Sequence, residues 1–136
     1  EHSAIYSTLY PGVKDVLEEL RGRATFAVAT AKIRPATLGI LEKLEVLDYF
    51  DVIVTADDIE RMKPDPQSVE IVLNKTGIAP QKAVMVGDMN TDIQAAHAAG
   101  AAGIGVSWGY GKLADIEAAD PEWTVDRAEQ LVELYS

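Results

Sequence analysis

The 136-residue chain has no cysteine, only two histidines, and only two each of tryptophan and phenylalanine. Without cysteine there is no disulfide framework, no thiolate metal site and no thiol nucleophile, a composition compatible with the reducing cytoplasm where we expect the chain to reside. Basic residues are also scarce: 12 against 22 acidic ones leave a net charge of -10. Such a balance repels nucleic-acid backbones and anionic lipid, and no basic patch offsets it, so neither nucleic acid nor membrane is expected as a partner. Long apolar runs are missing too. The most continuous weakly polar stretch, "AAHAAGAAGIGV", is glycine-broken and far short of the roughly 20 residues that span a bilayer. The opening "EHSAIYSTLY" lacks the basic-then-apolar order of a signal peptide. In "GIGVSWGYG" the glycines at 103, 105 and 109 miss the spacing of a dinucleotide fingerprint, which argues against a nucleotide cofactor.

What is present is a core-forming composition, 48% hydrophobic, suited to one globular domain. In "PGVKDVLEELRG", Val13, Val16, Leu17 and Leu20 follow the i, i+3, i+4, i+7 pattern of an amphipathic helix, with Gly22 placed to end it. Short apolar runs at 25–29, 51–55, 83–87 and 102–106 read as buried strands. Between and after them lie helical stretches opening at Pro35, near 67–76, near 91–99 and over 127–135. Alternation of this kind, with strands apolar on both faces, predicts an α/β fold with a mostly parallel sheet covered by helices.

In open parallel sheets ligands gather beyond the carboxyl ends of the strands, so the residues just after each apolar run are the candidates for chemistry. Thr30, in "VATAK", follows the run 25–29; its hydroxyl can donate to a bound oxyanion, or simply cap the next turn. Lys63 stands in "RMKPDP", where the following proline stiffens the backbone and Asp65–Pro66 suits a helix start. Its ammonium can neutralise an anion or be an ordinary solvated charge.

Asp88 and Asp92, in "VMVGDMNTDIQ", fall at a strand tip and in the first turn of the next helix. Two unit charges about 4 Å apart repel by on the order of 4 kcal/mol at an effective dielectric of 20, so a cation must offset them if both stay ionised. Oxygen ligands so spaced suit Mg²⁺; a turn aspartate followed by one favouring the helix dipole is the plainer alternative. Gly87 reads as permitting a tight turn before the pair. His97 has no thiol and no second histidine but the terminal His2 to act with, and reads as structural or surface. Trp108 and Tyr110 follow a strand end and either border the site or pack beneath a loop.

Taken in order, "VATAK", "KPDP" and "GDMNTD" resemble motifs two, three and four of the haloacid dehalogenase-like hydrolase superfamily, and most resemble its phosphoglycolate phosphatase-like branch. "LYPGVKDVLEELRG" and "GVSWGYG" support the likeness, which runs from about Tyr10 to Leu134. The resemblance implies a three-layer Rossmann-like core and hydrolysis of a small phosphorylated metabolite with Mg²⁺ through an aspartyl-phosphate. It implies that Thr30 binds the phosphoryl group and Lys63 balances charge around it. Asp88 would bind the metal directly, and Asp92 would support it directly or through water.

The family's first motif, an Asp-x-Asp run on the first strand, does not occur here. By the resemblance that strand lies mid-sheet, between those ending at Thr30 and Asp88, so its absence would leave two buried edges unpaired. We therefore expect residues 1–10 to be a return linker from an upstream cap, and 11–136 to be a partial core whose nucleophile strand and cap lie outside the chain. Too few residues separate Thr30 from Lys63 for a large cap there. On these expectations the 136 residues alone do not turn over substrate. A non-catalytic, pseudoenzyme-like binding domain and a haloacid dehalogenase-type hydrolase are the alternatives.

Overall fold

The computed structural model describes residues 2–109 and 111–134. Six strands, β1 (Ser3–Tyr6), β2 (Thr25–Ala29), β3 (Phe50–Val54), β4 (Ala83–Gly87), β5 (Ala102–Val106) and β6 (Trp123–Val125), form one sheet in the order β3-β2-β1-β4-β5-β6. Every neighbouring pair is parallel. This is the strand order of doubly wound nucleotide-binding folds, in which the winding direction reverses beside the first strand.

Helices α1 (Val13–Leu20), α2 (Arg34–Lys43), α3 (Gln67–Thr76), α4 (Asn90–Ala98), α5 (Leu113–Ala118) and α6 (Glu129–Leu134) complete three layers. The four apolar residues of α1 are all buried, and burying each contributes about 1.5–3 kcal/mol. They share one core with Tyr6, Phe26, Val28, Leu41, Val86 and Leu131. The opposite face packs Ile5, Ala27, Ala29 and Met85 against Val69 and Val72 of α3 and Ala95 and Ala96 of α4. The period-two alternation of β1, β2 and β4 between these cores is why their sequences are apolar on both faces.

The expected linker is corrected by the structure. Residues 3–6 are the central strand, aligned Ser3 to Thr25 on one side and Ser3 to Ala83 on the other. Ala4, Ile5 and Tyr6 are completely buried, and the edges of β2 and β4 that were expected to lack a partner are paired. The Ser7 N–H continues the ladder to the Val86 carbonyl at 3.0 Å. Helix α3 starts as read, with Pro66 as its N-cap, and Asp65 Oδ1 accepts the Gln67 N–H at 2.9 Å.

Candidate active site

Beyond the carboxyl ends of β1, β2 and β4 lies a cleft of about 340 Å³. Its walls include Thr30, Lys63, Asp88 and Asp92, so the structure brings all four sequence-predicted residues to one hollow at the point where the winding reverses. Thr30 follows β2 and is buried, with its N–H bonded to the Val54 carbonyl at 3.0 Å. Its Oγ1 accepts the N–H of Lys32 at 3.2 Å, which fixes the turn leaving the strand.

Lys63 reaches in from the loop before α3. Its Nζ lies 2.7 Å from Asp92 Oδ1 and donates to the Ala29 carbonyl at 2.9 Å. Asp92 sits in the first turn of α4, where its Oδ2 accepts the Met89 N–H at 3.1 Å and faces Ser7 Oγ at 2.9 Å. Both oxygens of Asp92 are therefore held by protein donors. The like-charge repulsion read from the sequence is offset, on the Asp92 side, by the ammonium of Lys63.

Asp88 follows β4 and is likewise buried. Around the two acids the main chain comes unusually close. A Cβ on Gly109 would stand 2.1 Å from Asp88 Cβ, and one on Gly111 would stand 2.0 Å from the Asp88 carbonyl oxygen. A Cβ on Gly87 would stand 2.4 Å from Asp92 Cβ. Gly87 has no positive φ, so the expected tight turn is not its reason; the missing Cβ makes room for Asp92.

The donor set on the wall of the cleft is all oxygen, with the carboxylates of Asp88 and Asp92 among it. That fits Mg²⁺, which is commonly held by one or two carboxylates with water and substrate oxygens completing the shell. No group of three or more His, Cys, Asp or Glu that could hold a metal occurs among the described residues.

Two further residues enter the site without having been singled out from sequence. Ser7 stands at the tip of the central strand, hidden because that strand is only four residues long. Lys32 was passed over as part of "VATAK", yet it lines both the cleft and an adjoining hollow of about 180 Å³. His97 lies at the far end of α4, where its Nε2 is 3.0 Å from Glu122 Oε1, a structural contact. Trp108 packs edge-on against Tyr10, with centroids 5.0 Å apart, and does not line the cleft. Tyr110 lies outside the described residues.

A parallel doubly wound sheet with a hydroxyl, an ammonium and two acids at its reversal point defines an α/β core with its candidate site at the strand tips. The sequence model of the haloacid dehalogenase-like hydrolases matches residues 1–106, and the chain belongs to that family. It is 36% identical over 115 residues to the phosphoglycolate phosphatase of Escherichia coli K12, covering 84% of this chain and 46% of that protein. The phosphoglycolate phosphatase of Pectobacterium atrosepticum is 36% identical over 129 residues, covering 94% and 55%. A crystal structure described as a predicted phosphoglycolate phosphatase from Haemophilus somnus superposes with a TM-score of 0.87 at 30% identity, over 95% of this chain and 58% of that one. The chain thus spans about half the length of the curated relatives it matches.

Proposed function

We propose that the chain is the core of a Mg²⁺-dependent phosphomonoester hydrolase of the phosphoglycolate phosphatase type, acting on a small phosphorylated metabolite. The observation that carries this reading is the meeting of Thr30, Lys63, Asp88 and Asp92 in one cleft. The phosphoryl group would lie against Thr30, whose hydroxyl donates to a non-bridging oxygen. Lys63 supplies positive charge beside it and holds Asp92 in place. Asp88 would hold Mg²⁺, with Asp92 acting through Lys63 or through water because both of its oxygens are taken. Bound Mg²⁺ supplies Lewis-acid stabilisation of charge on phosphoryl oxygen.

The nucleophile would be an aspartate outside these 136 residues, since Ser7 and not a carboxylate stands at the tip of the central strand. Its carboxylate attacks phosphorus, the ester oxygen leaves as the alcohol after protonation, and water then cleaves the acyl phosphate to return the carboxylate and inorganic phosphate. A second reading, a phosphate-binding domain without turnover, is favoured by one observation: Ser7, not a carboxylate, ends the central strand.

The test is a comparison of phosphate release by the complete natural gene product and by the 136-residue chain, with Mg²⁺ and with chelator. Turnover by the longer protein alone, abolished by chelator, is the expected result. Absence of turnover in both would leave the binding-domain reading standing, and equal turnover would place the nucleophile within this chain.

A further inference from the structure

Three cations lie near the carboxyl ends of β1 and β2, and two of them are committed. Lys63 is held by Asp92 and the Ala29 carbonyl. Arg34 is held by Asp58 at 2.6 Å and the Ile53 carbonyl at 2.9 Å. Lys32 differs from both, since its ammonium has no carboxylate partner among the described residues, in a chain with 22 acidic side chains. Its main chain, by contrast, is pinned at both ends. The N–H donates to Thr30 Oγ1 at 3.2 Å, and the carbonyl accepts the Ala56 N–H at 2.9 Å.

The pinned residue stands where two hollows meet. The 340 Å³ cleft holding Asp88 and Asp92 and the 180 Å³ hollow reaching toward Thr37 of α2 share Ser7, Thr8, Thr30 and Lys32. A ligand whose phosphoryl group sits against Thr30 must place the rest of itself nearby, and the side hollow offers space with Lys32 on its wall. Its other lining groups are hydroxyls and apolar carbons, with no acid among them.

We propose that Lys32 is a specificity-determining residue that receives a second anionic group of the substrate, so that the preferred ligands are compact phosphomonoesters carrying a carboxylate a few bonds from phosphorus. This rests on the reading of the cleft as a phosphoryl site. Lys63, paired with Asp92, is assigned to the phosphoryl end of such a ligand, which leaves Lys32 for the second anion. An ammonium with its backbone fixed on both sides pays less ordering cost to meet an anion than one on a mobile loop.

The experiment is calorimetric titration of the 136-residue chain, with Mg²⁺ present, using three probes: inorganic phosphate, 2-phosphoglycolate and ethyl phosphate, the last being of similar size but without the carboxylate. Wild-type protein is expected to prefer phosphoglycolate over ethyl phosphate by about threefold to tenfold, the range for a partly exposed ion pair, with the preference shrinking at high salt. Lys32→Gln should abolish that preference, and Lys32→Arg should restore most of it. Because Lys32 is exposed, neither substitution threatens the fold. An unchanged preference in Lys32→Gln, or none in the wild type, overturns the assignment of Lys32 alone. Failure of the wild type to bind inorganic phosphate overturns the phosphoryl-site reading and this inference with it.

Discussion

The ammonium of Lys63 lies 2.7 Å from Oδ1 of Asp92, with side-chain exposures of 9% and 4%. A pair this deep couples the loop before α3 to the first turn of α4, and it stands on the floor of the cleft. A change to either side chain therefore bears on the fold and on the wall of the cleft together.

Lys63→Met removes one partner and leaves Asp92 buried, with hydrogen bonds from Ser7 and Met89 but no counter-charge. Breaking a buried pair from one side costs roughly 3–5 kcal/mol, so a loss of that size is expected in urea unfolding. The double variant Lys63→Met/Asp92→Asn should lose less than the two single changes added together. Additive losses would mean that the two side chains do not act as a pair.

Asp88→Asn retains the shape of the side chain and removes its charge. Affinity for Mn²⁺, used as a spectroscopic stand-in for Mg²⁺, should fall by about tenfold or more when followed by electron paramagnetic resonance. Undiminished Mn²⁺ binding would take Asp88 out of the metal role.

How much of this was legible in sequence depended on the length and patterning of each element. The strand 25–29 and the helix 67–76 were read with the bounds they have, and the strands 83–87 and 102–106 likewise, because each is a clean apolar or helical run closed by turn residues. The strand read at 51–55 begins one residue earlier, at Phe50, and the last helix begins two residues later than read, at Glu129. β1 escaped because four residues opening with a serine carry too little signal, and only neighbours on both sides make Ser3–Tyr6 a strand. β6, three residues at the sheet edge with Trp123 and Thr124 exposed, escaped for the same reason. The four residues that meet in the cleft were singled out because each lies near a recognisable strand end or a proline-marked loop. The Lys63–Asp92 pairing and the pressure of Gly109 and Gly111 on Asp88 could not, since both join segments distant in sequence.

Glycines at 109 and 39 should respond in opposite directions to alanine. At Gly109 the added Cβ meets Asp88 side-chain atoms, so the loop or the carboxylate must move, at a cost of roughly 1–3 kcal/mol. Gly39 lies exposed within α2 with nothing inside 4 Å, so Gly39→Ala should stabilise by about 0.5–1 kcal/mol through helix propensity. Chemical denaturation of both variants checks the contrast, and Mn²⁺ titration should register only Gly109→Ala.

Glu122 offers a pH-dependent test remote from the cleft. Its Oε1 accepts the Gly103 N–H at 2.6 Å and lies 3.0 Å from His97 Nε2, tying the residue before β6 to β5 and to the end of α4. Burial pushes this carboxyl upward, but the Gly103 N–H and the His97 contact outweigh it and hold the group below its ordinary value of 4.5. A carboxyl depressed in the folded state contributes stability that is complete above the unfolded pKa and is lost as pH falls through the folded one. The melting temperature should therefore exceed that of Glu122→Gln at about pH 6, with the gap closing on acidification toward about pH 3. Because the side chain is 42% exposed, water screens much of the interaction and the gap should be modest. A gap that stays constant across this range would mean that the contact with Gly103 depends on the shape of Glu122 and not on its charge.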